Sequence, residues 1–229
     1  ERKWYFQFTP HDVWDYDGNT QVFLVDMIRN DREVKALVQA NRNGYFYILD
    51  RTDGSFISAS PYIQVNWATI AEDGRPIVNP EALPTEDPNV RVCPGHLGGM
   101  NGAWTGALNP GLGLAFIPAV ESCEFYQKGI ATFVPGQMFL GGGYELIDVE
   151  AGRSYGVLAA IDIVTGETRW RYVDPIPLMA GTLSTEGGVV FTGNQLGFAL
   201  AFDAESGEEV WRHRLGAGVR SQPIAYEAD

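Results

Sequence analysis

The segment AIDIVTGETRW at residues 160–170 returns as AFDAESGEEVW at residues 201–211, an offset of 41 residues. A repeat of this period constrains the fold strongly, because about 40–45 residues suit one four-stranded blade of a β-propeller. Within each copy an apolar strand ends at an Asp, a short turn closed by Gly reverses the chain, and a Trp anchors the next strand. Asp162, Gly166 and Trp170 hold these places in one copy, and Asp203, Gly207 and Trp211 in the other. A weaker copy, LDRTDG at 49–54, has the turn without the Trp. Between the good copies, GGVVFTG (187–193) and GFALAF (197–202) read as two further strands of one blade. Convincing amphipathic helices are scarce, so the sequence predicts an all-β propeller.

Both ends read as parts of blades. ERKW at 1–4 fits the tail of a Gly-Glu-x-x-Trp turn, and SQPIAY at 221–226 reads as the start of a strand. Since an open propeller exposes strand edges, the expectation is one partial propeller domain over residues 1–229 of a longer polypeptide. Residues 66–94 are rich in Pro and acidic side chains and read as a long excursion between strands.

The chain carries 16 Lys and Arg against 29 Asp and Glu, a net charge of −13. That balance argues against nucleic acid, which needs a basic stripe, and suits either solubility or a basic protein partner. No apolar run approaches the roughly 20 residues of a membrane-spanning helix. Cys93 and Cys123 are the two cysteines. They read either as buried thiols or as a disulfide closing a loop of about 30 residues, worth roughly 3–4 kcal/mol. Their spacing does not suit a zinc or thioredoxin-type site.

The densest constellation is TPHDVWDYDG at 9–18. In extended chain Asp15 and Asp17 share one face while Trp14 and Tyr16 share the other. Two carboxylates on one face repel unless a proton or cation sits between them, and a hard metal ion with oxygen ligands is one solution. The plainer alternative is a solvated acidic turn ended by Gly18. His11 and Asp12 read as structural, His96 and His213 lack a metal-ligand pattern, and Trp104 reads as packing, with lining a substrate funnel as the alternative.

TPHDVWD at 9–15, NRNGYFYILDRTDG at 41–54, and Cys93-Pro94-Gly95 followed by GGMN at 98–101 and Cys123 together resemble the quinoprotein methanol and ethanol dehydrogenases. The similarity spans essentially the whole chain. It implies an eight-bladed propeller whose axis holds pyrroloquinoline quinone, and an activity of oxidising primary alcohols to aldehydes in the periplasm. Asp15 aligns with that family's catalytic base, which also approaches the metal. Arg42 aligns with the arginine on the quinone carbonyls. Asn101, after one inserted residue, matches an asparagine beside the cofactor, and Cys93 and Cys123 match a structural disulfide. Asp17 resembles the second Asp of lanthanide-dependent members, calcium being the alternative, since an added carboxylate suits a trivalent ion. Membrane-bound glucose dehydrogenases can share that Asp, but they usually have Lys-Thr-Gly where this chain has Arg42-Asn43-Gly44.

The resemblance further implies a small alcohol substrate and a cytochrome c acceptor, and leaves a homodimer open. The family's remaining metal ligands and its quinone-stacking Trp fall outside these residues, which are therefore expected to be inactive alone. A rival expectation is a non-catalytic periplasmic scaffold similar to the outer-membrane assembly lipoprotein, which shares the Trp turns.

Overall fold

The computed structural model describes residues 1–147 and 154–227. Strands β1 (Phe23–Arg29), β2 (Arg32–Ala40), β3 (Tyr45–Asp50) and β4 (Phe56–Pro61) form an antiparallel sheet in that order. Asn30 and Asp31, both at positive φ (51° and 59°), make the two-residue turn between β1 and β2, the geometry that matches strand twist in a tight hairpin. The chain then forms a small hairpin, β5 (Ala68–Ile70) with β6 (Pro76–Val78), a 3-10 turn (Pro80–Ala82) and the short β7 (Val90–Val92). These occupy the segment read as an excursion.

A second blade is built from β8 (Ala107–Asn109), β9 (Leu114–Glu121), β12 (Tyr155–Asp162) and β13 (Thr168–Asp174). The hairpin joining β9 to β12 continues outward as β10 (Cys123–Lys128) and β11 (Gly142–Ile147). There β10 also pairs with β7, giving a three-stranded sheet beside the blades. A disulfide joins Cys93, just past β7, to Cys123 at the start of β10. The third blade is β14 (Leu183–Ser184), β15 (Val189–Gly193), β16 (Phe198–Asp203) and β17 (Glu209–Arg214).

Apolar side chains fill the gaps between blades. Val38, Phe46 and Ile48 of the first blade bury against Ile117, Ala159 and Ile161 of the second. Phe116 and Leu158 of the second bury against Leu200 and Phe202 of the third. Each of these Val, Leu, Ile and Phe side chains contributes about 1.5–3 kcal/mol when removed from water.

The repeated Trp turn docks one blade on the next. The Trp170 indole N–H donates to the Ala204 carbonyl at 3.0 Å. Its ring lies over Gly207, at φ +76°, where a Cβ would stand 2.5 Å from the ring. Trp4 makes the same dock on the first blade, donating to Arg51 O at 3.0 Å above Gly54. The weak copy explains itself at the remaining junction: β4 has no Trp, so Ser60 faces Gly166 and Arg29 donates to the Val164 carbonyl.

Candidate functional site

The site begins with the alternation in residues 14–17. Trp14 and Tyr16 are buried, while the side chains of Asp15 and Asp17 are 60% and 64% exposed. Trp14, Tyr16 and Trp67 pack as a cluster, with ring centroids 5.1–5.7 Å apart. The Trp14 indole N–H donates to Ala82 O at 2.7 Å, and the Tyr16 hydroxyl donates to Pro94 O at 2.5 Å. The excursion 66–94 therefore supplies the floor on which this segment is anchored.

Asp12 shapes the segment locally. Its two oxygens separately accept the backbone N–H groups of Trp14 at 2.9 Å and Tyr16 at 2.7 Å. Burial pushes its carboxyl above the usual range; the two N–H donors oppose that, and the charges of Asp15 and Asp17 add to it. Asp15 is held at φ +68°, a conformation costly for a residue with a Cβ. Asp12 thus has the structural role its sequence suggests. His11, in contrast, is exposed and lines a cavity.

Arg42 sits in a buried turn, not on the surface as its Asn-Gly context could suggest; its side chain is 8% exposed. The turn is locked by side chains: Asn41 Oδ1 accepts Asn43 N, Asn43 Oδ1 accepts Tyr45 N, and the Trp67 indole donates to Asn43 O. Gly44 at φ +94° leaves no room for a Cβ beside Val65. The guanidinium donates through Nε to His96 O at 2.9 Å, and a second nitrogen shares that carbonyl. That second nitrogen, Nη2, also lies 3.4 Å from Asp15, and Nη1 lies 4.0 Å from Asp17. The fold therefore brings Asp15, Asp17 and Arg42 together.

Asn101 lies on a neighbouring loop. Gly99 packs against the Arg42 backbone, and the buried Tyr62 hydroxyl donates to Asn41 O and accepts from Met100 N, both at 2.8 Å. Asn101 uses its Oδ1 to accept Ala103 N at 3.1 Å. Trp104 is buried.

A cavity of about 710 Å³ opens beside the carboxylates. Asp15 forms part of its wall with Trp14, Leu83, Tyr126, Leu140 and His96; Asp17, Arg42 and Asn101 do not line it. Asp15 is thus the acidic residue shared by the cavity and the Arg42 cluster. Tyr126 donates to Trp14 O at 2.9 Å, and burial, with the nearby charge of Glu124, holds its hydroxyl well above the usual tyrosine range. Among the described residues no three His, Cys, Asp or Glu side chains converge on one point.

Sequence reading missed His96 and Glu124. Glu124 is fully buried and accepts His96 N at 3.0 Å, Leu97 N at 3.2 Å and the His96 ring at 2.7 Å. An acidic residue between Cys123 and Phe125 was the available signal.

Bladed antiparallel sheets docked by Trp turns, with two carboxylates on a buried arginine, define a β-propeller of the quinoprotein dehydrogenase class. The comparisons agree. A model of the glucose/ethanol/alcohol dehydrogenase β-propeller domain matches residues 1–73, and one of the outer membrane assembly factor BamB matches residues 154–228. Quinoprotein alcohol dehydrogenase PedH of Pseudomonas putida is 40% identical over 99% of this chain and 39% of its own length. The lanthanide-dependent methanol dehydrogenase of Methylacidiphilum fumariolicum is 31% identical over 98% of this chain and 37% of its own. A europium-containing methanol dehydrogenase superposes with a TM-score of 0.86 at 31% identity, covering 96% of this chain and 39% of that one. The quinohemoprotein alcohol dehydrogenase of Comamonas testosteroni gives 0.86 at 30%, covering 99% and 35%. The chain belongs to the quinoprotein alcohol dehydrogenase family and spans less than two fifths of the length of these relatives.

Proposed function

We propose that this chain is the part of a periplasmic quinoprotein alcohol dehydrogenase that carries the catalytic base. The carrying observation is Asp15, exposed at a cavity on one side and 3.4 Å from the buried Arg42 on the other. The donor chemistry fits the implied groups. Two carboxylates on one face suit a hard cation; the contact of Asp15 with Arg42 lies at the long end of hydrogen bonding and that of Asp17 beyond it, so neither is committed to a tight pair. Asp15 and Asp17 would hold the metal and Arg42 the anionic quinone, with Asn101 beside it. Ligands to complete a six- to eight-coordinate shell of about that size would come from outside these residues.

Bound quinone would supply the hydride acceptor, and bound metal a Lewis acid. Asp15 takes the hydroxyl proton of the alcohol as the carbon-bound hydrogen leaves. Arg42 donates hydrogen bonds to oxygens that gain negative charge. Trp14 and Tyr16, fixed by Asp12 and the excursion, keep Asp15 at the cavity wall. The mostly apolar wall suits a primary alcohol with an apolar chain.

Asp17 supports a lanthanide in preference to calcium, because a second carboxylate balances a higher charge. The disulfide fits an oxidising compartment such as the periplasm. A relative named 1-butanol dehydrogenase (cytochrome c), from Thauera butanivorans, is 37% identical over this chain; a cytochrome c acceptor is the corresponding proposal here. These residues alone would form one wall of the site and be inactive. The assembly-factor likeness is confined to the Trp-turn blades, whereas the alcohol dehydrogenase likeness also includes Asp15 and Arg42.

The test is reconstitution of the full-length protein with pyrroloquinoline quinone and either calcium or a light lanthanide, assayed with an artificial acceptor. Turnover of primary alcohols with the lanthanide is expected. Equal activity with both ions, or activity with calcium only, would refute the metal assignment, and no turnover with either would refute the enzyme reading.

A further inference from the structure

The mechanism leaves one buried ionisable group unused. Glu124 has no exposed surface, and taking a carboxylate out of water is unfavourable unless donors surround it. Here they do: Oε1 accepts Leu97 N, while Oε2 accepts both His96 N and the His96 Nδ1–H. Gly95 sits so close to the Glu124 side chain that a Cβ there would lie 2.4 Å from it. Residues 95–97 are thereby wrapped around a single carboxylate. The opposite side of the same loop presents the His96 carbonyl to two nitrogens of Arg42. His96 is also braced from outside by the Tyr144 ring, 3.7 Å between centroids.

We propose that Glu124 and His96 form a positioning unit for Arg42. Glu124 fixes the loop, the loop fixes the His96 carbonyl, and that carbonyl holds Nε and Nη2 of the guanidinium, so that Nη2 keeps its second hydrogen toward Asp15 and Nη1 is left toward Asp17 and the place the quinone would take. Glu124 does not line the cavity, and His96, although part of its wall, acts in this assignment through its backbone carbonyl. A carbonyl clamp matters because an unrestrained guanidinium would turn fully onto the two carboxylates, 3.4 and 4.0 Å away, and be lost to the cofactor. The unit rests on the reading of Arg42 as a quinone ligand.

The experiment uses full-length protein titrated with pyrroloquinoline quinone in the presence of metal, followed by quenching of tryptophan fluorescence. Glu124→Gln replaces one acceptor oxygen by a donor, so quinone binding should weaken about tenfold, the scale of one lost charge-assisted hydrogen bond. His96→Leu should weaken it similarly, whereas His96→Asn, which keeps a donor toward Glu124, should bind within about twofold of the parent by the same scale. In an Arg42→Lys background, already weakened, Glu124→Gln should add nothing further. Parent-like binding by both Glu124→Gln and His96→Leu, with Arg42→Lys impaired, overturns the positioning role. Additive losses overturn it too, since they mark general destabilisation. Undiminished binding by Arg42→Lys instead removes the underlying reading of Arg42. Should Glu124→Gln fail to fold, the contrast between His96→Asn and His96→Leu decides alone.

Discussion

Asp12→Asn separates the scaffold of the acidic segment from its chemistry. Asp12 uses one oxygen for Trp14 N and the other for Tyr16 N; an amide keeps one acceptor and presents an N–H to the second donor. The loss is one hydrogen bond to a charged group, about 1.5–3 kcal/mol. The left-handed backbone of Asp15 stores about a further 1–2 kcal/mol that an unpinned loop can release. Neither change touches the carboxylates of Asp15 or Asp17, so the cost should appear as weaker metal binding. At about 1.4 kcal/mol per decade, the lower end alone predicts roughly tenfold weaker affinity. Terbium luminescence sensitised by the adjacent Trp14 would report it, titrated into full-length protein. Removing the Asp12 charge acts in the same direction, but that part is screened by salt. The hydrogen-bond part should survive in high salt. Parent-like terbium affinity, or a deficit that vanishes with salt, would refute the claim that Asp12 pins the segment.

Asp12 also predicts a pH effect. Its folded value is raised, so the stability it contributes is full below the unfolded value and is lost as pH rises through the folded one. Urea midpoints from pH 3 upward should show that loss in the parent, and a parallel profile in Asp12→Asn would contradict it. Asp15→Asn should abolish turnover in the reconstituted enzyme, whereas Asp17→Ala should selectively weaken the lanthanide-supported reaction; equal loss with every metal would give Asp17 another role. Trp170→Ala should destabilise by about 3–5 kcal/mol, and Trp170→Phe by about 1 kcal/mol through the indole hydrogen bond, measured by denaturant unfolding. Replacing Cys93 and Cys123 by Ser should cost about 3–4 kcal/mol for a loop of this length; an unchanged midpoint would show that the register of β7 on β10 suffices.

What could be read from the sequence was what repeats or alternates locally. The Trp turns were visible because each places Asp, Gly and Trp within nine residues, and the geometry of one turn recurs in the next. The separation of Asp15 and Asp17 from Trp14 and Tyr16 was visible because extended chain has a period of two. The junction between the first and second blades was not: nothing near Ser60 announces that it faces Gly166, or that Arg29 reaches Val164 across 135 positions. Nor did residues 66–94 reveal that Trp67 would close the aromatic floor under Trp14.

The same distinction runs through the site. Arg42 attracts notice by its neighbours in sequence, yet its orientation depends on a carbonyl 54 positions away, and that carbonyl depends on a carboxylate 28 positions further on. Each link is an ordinary residue type in an ordinary local context. Their meaning arises when the β9–β12 hairpin extends into β10 and the disulfide holds β10 beside the loop after β7. The paired carboxylates can be found by their own pattern, because extended chain alternates. The groups that hold Arg42 need only a donor or acceptor in the right place, which many residues can provide, so they emerge only once the strands are in register.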